Sequence, residues 1–273
     1  MTKTILITGC SSGFGRATAL ESLAAGWNVV ATMRDPTAWD GPAENGRLLL
    51  LPLDVNNDAS VAAAVREGVK RYGKIDVVVN NAGKGLFSVF EATSDETAKS
   101  VFETNVFGPM RLMRTVIPLM REAGGGRIVN VTSSAAISPE PLLTIYSASK
   151  AALDAFTEAV QFELVAQNIS VKVIEPGFVR GTKFVEQTQA AAYTIPVPAE
   201  YQAFMDRRIA AYMGAIDAGL ATDEDVAKTI VAAAKDESGQ LRWVIGADAE
   251  EASHMRWETS DAEYAAWSRR RFT

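Results

Sequence analysis

Short apolar runs alternate with helix-patterned segments from the first residues onward, and no other feature limits the fold of this chain so tightly. Thr4-Ile5-Leu6-Ile7-Thr8 precedes a helical period over Gly13 to Ala25, a stop at Gly26, and a second apolar run over Val29 to Met33. Consecutive apolar residues suit a strand buried on both faces, and such strands belong to parallel sheets with helical crossovers. Further strands are predicted at Arg47 to Leu51, Ile75 to Asn80, Arg127 to Val131, Val171 to Ile174 and Trp243 to Ile245. Helices are predicted at Asp58 to Tyr72, around Glu96 to Arg121, at Tyr146 to Ala166 and at Asp223 to Ala234. The pattern predicts one α/β domain over 1–273, a Rossmann-type doubly wound, seven-stranded parallel sheet with helices on both faces. Two parts lack a clean period: residues 178–219, read as a substrate-loop insertion after a strand's carboxyl end, and a polar C-terminal extension over 247–273.

Charge and rare residues remove several classes of function. A net charge of −6 opposes the cationic field that nucleic acid needs. Cys10 is the one cysteine, so no internal disulfide forms, and no apolar stretch reaches the length of a membrane span. A soluble, cytoplasmic protein without nucleic-acid or membrane partners is expected, with Arg269, Arg270 and Arg271 as a solvated tail. His254 is the lone histidine and has no cysteine partner, which leaves neither a metal site nor a Ser-His-Asp triad. Acid–base chemistry near neutrality must then use another group whose pKa its surroundings move.

Two motifs point to that chemistry. Thr8-Gly9-Cys10-Ser11-Ser12-Gly13-Phe14-Gly15 joins the first strand to the first helix, where glycines allow tight backbone geometry and the helix offers free amide donors to a pyrophosphate. Gly9, Ser11, Ser12, Gly13, Phe14 and Gly15 are the candidate contacts. At the end of the second strand, Arg34 stands where an acid would bind the ribose of NAD(H), so its guanidinium favours the 2′-phosphate of NADP(H). Asp35 follows it, a solvated Arg34 is the other reading, and NAD(H) stays open. The second motif is Tyr146-Ser147-Ala148-Ser149-Lys150, whose i, i+4 spacing puts phenol and ammonium on one helix face. A nearby lysine cation favours phenolate and would let Tyr146 exchange protons near neutrality.

Together these motifs resemble the short-chain dehydrogenase/reductase family, and the resemblance runs along nearly the whole chain. It implies an adenine-contacting acid at Asp54 in Leu53-Asp54-Val55, a turn beside the adenosine ribose at Asn80-Asn81-Ala82-Gly83, and a nicotinamide carboxamide segment over Pro176, Gly177, Val179 and Thr182. It implies a catalytic set of Asn105, Ser133, Tyr146 and Lys150, in which Ser133 (or the adjacent Ser134) orients the substrate oxygen. In that set Lys150 also binds the nicotinamide ribose, and Asn105 holds a water linking the lysine to solvent. The family's habit of pairing helices near Asn105 to Arg121 and Tyr146 to Ala166 implies a homodimer or homotetramer. The Gly-Cys-Ser-Ser-Gly loop and long tail look most like the hydroxysteroid- and retinol-dehydrogenase branch. Phe184, Tyr193, Ile195, Phe204, Met205, Tyr212 and Met213 in the insertion suit either a bulky apolar substrate or packing within the domain. Three functions follow: a carbonyl/alcohol oxidoreductase on a hydrophobic small molecule, a 3-oxoacyl-thioester reductase, and a non-catalytic NADP(H)-sensing scaffold.

Overall fold

A computed structural model of the chain describes residues 2–179, 188, 195–218 and 221–272. Its strands are β1 (Thr4–Thr8), β2 (Asn28–Met33), β3 (Leu48–Pro52), β4 (Val77–Asn80), β5 (Gly126–Val131), β6 (Ile169–Pro176) and β7 (Arg242–Ile245). They form one parallel sheet in the order β3-β2-β1-β4-β5-β6-β7. The strand order reverses between β1 and β4, which opens a crevice at their carboxyl ends.

Alternation along each strand divides the core into two layers. Ile5, Ile7, Val29, Val79, Val129 and Ile174 pack on one face with residues of α1 (Gly13–Ala24) and of the helix Asp223–Lys235. Leu6, Val30, Val78 and Ile128 pack on the other, against α2 (Asp58–Tyr72), a helix over Gly108–Glu122 and a helix over Thr144–Leu164. Successive side chains on a strand point to opposite faces, so an unbroken apolar run feeds both layers at once.

The predicted long helix around Glu96 to Arg121 is not continuous. α3 (Asp95–Phe102) and α4 (Gly108–Glu122) are joined by a π-helical turn, Glu103–Phe107, that contains Asn105. Pro109 has no N–H to return to the Asn105 carbonyl four residues back, and the helix widens there. After β5 come a short α5 (Ser134–Ile137) and α6 (Thr144–Leu164), which buries Tyr146, Lys150, Leu153, Thr157, Val160 and Leu164 along one stripe. Asn80 donates to Asn130 (2.8 Å) and Asn130 to the Thr157 hydroxyl (2.7 Å), so β4, β5 and α6 share one buried polar chain.

The two parts predicted to be irregular contain helices. Within 178–219 lies α7 (Gln202–Ala218), and after α8 (Asp223–Lys235) and β7 the tail folds into α9 (Ala247–Trp257) and α10 (Asp261–Phe272). The expected solvated arginine tail is the last turn of α10, where the Arg271 guanidinium stands 5.1 Å from the Trp267 ring centre. Stacking on aromatic faces holds such a cation at the surface without removing it from water.

Candidate active site

The crevice between β1 and β4 is closed by an asparagine clamp. Asn81 donates from Nδ2 to the carbonyls of Thr8 (2.8 Å) and Gly9 (3.3 Å), and the Thr8 hydroxyl accepts from the backbone of Asn81 and Ala82 at 3.0 Å each. Gly9 has φ +75°, and a Cβ there would lie 2.9 Å from Ala82 Cα; one on Gly15 would lie 2.3 Å from the Gly9 carbonyl oxygen. Only glycine fits either place. Ser12 caps α1 without a side-chain hydrogen bond, and no acid sits in its first turn. The amide end of α1 is thus left uncapped by side chains and positive, which fits the pyrophosphate of a dinucleotide held by Gly9, Ser11, Ser12, Gly13, Phe14 and Gly15.

Around that turn the other candidate contacts take varied positions. Arg34 is exposed beyond β2 and pairs with no described acid, while Asp35 accepts from Thr37 N (2.9 Å) and Thr37 Oγ1 (2.7 Å). Asp54 closes a local turn, with Oδ1 accepting from Asn56 N at 2.9 Å. Val55 is buried against Gly108, and its carbonyl accepts from Arg111 at 2.6 Å. Gly83 lies beside two of the reacting groups: a Cβ there would be 3.5 Å from Lys150 Nζ and 3.6 Å from Asn105 Oδ1. Pro176 ends β6, Gly177 N donates to the Ile245 carbonyl (2.8 Å), and Val179 is bridged to Ala221. Thr182, Phe184 and Tyr193 lie outside the described residues.

Asn105, Ser133, Tyr146 and Lys150 converge. The buried Tyr146 hydroxyl hydrogen-bonds Ser133, whose Oγ also accepts from Ala135 N at 3.2 Å. Lys150, also buried, donates from Nζ to the Val131 carbonyl at 2.8 Å and stands 5.8 Å from the Tyr146 ring centre. Asn105 accepts from Lys84 N (2.7 Å) and donates to Lys84 O (2.9 Å) and Ser149 Oγ (2.9 Å); Ser149 in turn donates to the Tyr146 carbonyl at 2.7 Å. Both N–H bonds of the Asn105 amide are spent on protein. Pro109 denies the Asn105 backbone carbonyl its usual α-helical N–H partner.

Electrostatics differ from the sequence expectation. Burial pushes the Tyr146 phenol up to about 12, against the lowering effect of Ser133, and pushes the Lys150 ammonium down to about 8. Desolvation dominates at both groups, so the phenol lies above its ordinary value instead of below it.

Sequence reasoning missed several groups nearby. Ser149 sits inside the Tyr146–Lys150 motif, which was read for its two ends, and Lys84 directly follows the Asn80–Gly83 turn. Asp248 accepts from Phe178 N (2.9 Å) and crowds Gly177 from a helix far along the chain. Leu142 is buried with φ +66°, a strained conformation for a branched residue, and its carbonyl is fixed by Ser88 N at 2.8 Å. Tyr146 shares an apolar cluster with Phe87, Val89, Leu142, Leu143 and Met205, against which Tyr212 packs. A cavity of about 440 Å³ borders that cluster, lined by its members Val89 and Leu142 together with Ser88, Pro141, Tyr201 and Phe204, and Tyr146 does not line it.

A family model described as short chain dehydrogenase matches residues 3–192. The chain is 31% identical over 238 residues to an uncharacterised oxidoreductase of Schizosaccharomyces pombe, covering 87% of this chain and 98% of that one. It is 35% identical over 242 residues to retinol dehydrogenase 8 of Bos taurus (84% and 77% covered) and 32% over 248 residues to a ketoacyl reductase of Nostoc (88% and 77%). A short-chain dehydrogenase structure from Streptomyces avermitilis superposes with a TM-score of 0.83 at 32% identity, covering 98% of this chain and 97% of that one. One from Burkholderia phymatum in complex with NAD gives 0.80 at 25% identity, with 94% and 93% covered. Among the described residues no helix is long and apolar enough to cross a membrane.

Proposed function

The chain belongs to the short-chain dehydrogenase family, and from that premise we propose that it is an NADP(H)-dependent oxidoreductase interconverting a carbonyl and an alcohol on a hydrophobic small molecule. The observation that carries this reading is the buried Tyr146 hydroxyl, hydrogen-bonded to Ser133, with Lys150 beneath it and the glycine turn at the same edge of the sheet. When bound, the nicotinamide supplies the hydride.

The side chains do the rest. With its phenol held near 12, Tyr146 is protonated at neutral pH and donates to the substrate oxygen during reduction. Ser133 hydrogen-bonds the same oxygen and steadies its developing charge. Lys150 stabilises the phenolate left behind, and Asn105 fixes the Lys84 backbone and Ser149 against α6.

Preference for NADP(H) is supported by an exposed Arg34 that pairs with no acid among the described residues and by the commitment of Asp35 to Thr37. Assembly as a homodimer or homotetramer is supported by exposed apolar side chains near α4 and α6: Phe107, Leu119, Phe162 and Val165. Retinol dehydrogenase 8 and the apolar cluster around Tyr146 favour a bulky apolar substrate. The ketoacyl reductase relative favours a 3-oxoacyl thioester as the second reading. Reduction of retinal, decanal and acetoacetyl-coenzyme A with NADPH and NADH, compared by kcat/KM, separates these readings. Tyr146→Phe should keep NADPH binding and lose turnover; undiminished turnover overturns the assignment.

A further inference from the structure

Glu140 is a buried carboxylate, 8% exposed, that the proposed reaction does not use. It lies in the connection between α5 and α6, shortly before Tyr146. Two arginines distant in sequence meet there. Arg271 of α10 places Nη2 3.8 Å from Glu140 Oε1, and Arg208 of α7 donates from Nη1 to the Arg271 carbonyl at 3.3 Å while its charge acts on the same carboxyl. Phe272 lies between them, its ring centre 5.3 Å from the Arg208 guanidinium and 5.6 Å from that of Arg271. On α7, Arg208 falls three residues after Met205 and four before Tyr212, so the three share a helix face. Met205 is buried in the cluster that contains Tyr146, and Tyr212 packs on Phe87 (5.4 Å) and Phe178 (5.2 Å).

A carboxylate removed from water is costly unless cations compensate it, and these cations come from α7, whose Phe204 lines the cavity, and from α10, which meets α7 through the Arg208–Arg271 contact. We propose that Glu140, Arg271 and Arg208 form an ionic clasp that fastens α10 and α7 over the substrate pocket, making Glu140 and Arg271 positioning residues for the substrate. The clasp stands on the geometry alone; its kinetic consequence rests on the carbonyl-reductase reading.

Charge and titratable groups facing Glu140 are Arg271 from α10, Arg208 and Tyr212 from α7, Tyr146 from α6 and Asp248 from α9. Burial outweighs the arginines and raises the Glu140 carboxyl to about 7. The clasp is therefore charged above that pH and loses its anion below it.

Backbone amide exchange over residues 202–215, corrected for the chemical rate, tests this at pH 8 and pH 6. At pH 8, Arg271→Met leaves the buried carboxylate less compensated and should speed exchange there about fivefold or more while the sheet is unchanged, and Arg271→Lys should restore most of the protection. Because the carboxyl is raised in the closed state above its ordinary value, wild type should gain protection on going from pH 8 to pH 6, and Glu140→Gln should show no such response. With retinal and NADPH, Arg271→Met should raise KM about fivefold with kcat within about twofold. Unchanged protection in Arg271→Met, or the same pH response in wild type and Glu140→Gln, overturns the clasp. Failure of wild type to reduce retinal counts against the substrate reading and leaves the exchange result to decide the clasp.

Discussion

Beneath Tyr146 the protein is sheet, above it helix, and the two halves hold their side chains by different means. The floor consists of strands buried on both faces, glycines with no room for a methyl group, and polar chains such as Asn105–Ser149 that are hydrogen-bonded within the core. The cover is α7, packed on Phe87 and Phe178 by aromatic edges at 5–6 Å, with α10 braced against it by half-buried arginines. Packed cores keep one arrangement, whereas partly solvated contacts open locally at small cost. Such a division predicts that α7 opens more readily than the sheet beneath it.

Four experiments press on this difference. Lys150→Met should have the largest effect, a fall in kcat of about a thousandfold with little loss of stability, because the methionine replaces a desolvated ammonium with an apolar group of similar length. A large drop in thermal midpoint instead would mean that the lysine is chiefly a packing element. Gly15→Ala drives a methyl onto the Gly9 carbonyl and should weaken NADPH binding about a hundredfold by fluorescence titration, with a loss of about 1–3 kcal/mol in denaturant stability.

Glu175 comes next. Both its oxygens are buried without a hydrogen-bond partner among the described residues, and burial raises its carboxyl to about 7, Asp154 adding to the shift. A carboxyl raised in the folded state makes the protein less stable as pH climbs from the unfolded value near 4.5 to the folded one, and the penalty is complete above it. Glu175→Gln should therefore stabilise the protein by on the order of 2 kcal/mol at pH 8 and by little at pH 5, read from urea unfolding. An equal gain at both pH values would show that ionisation is not the cause. Tyr212→Leu on the cover should have the smallest effect, about a threefold rise in KM with kcat unchanged. A loss of kcat as large as that of Lys150→Met would erase the distinction between floor and cover.

Legibility in the sequence follows the same line. Strands such as Ile5–Ile7 and Val77–Val79 declare themselves because burial on both sides demands unbroken apolar runs, and the Tyr146 and Lys150 pair lies on the stripe that α6 buries. The wide turn at Asn105 was written in Gly108-Pro109, a signal masked by the strong helical period on either side. α7 escaped because alanines and a glycine, Ala203, Ala210, Ala211 and Gly214, surround its apolar face of Met205, Ile209 and Tyr212 and blunt the period. α9 and α10 read as a polar tail because their contacts are ion pairs and aromatic edges with no period. Asp248 against Gly177 and Arg271 against Glu140 join segments far apart in the chain, which no local pattern encodes.

The buried chain from Asn80 through Asn130 to Thr157 acts as a key in a slot. Turning α6 about its axis by a single residue, about 100°, would swing the Thr157 hydroxyl away and strand an amide in a dry interior. The same rotation would aim the phenol at a different wall, so the orientation of the proton donor is locked by an amide three helical turns distant from it.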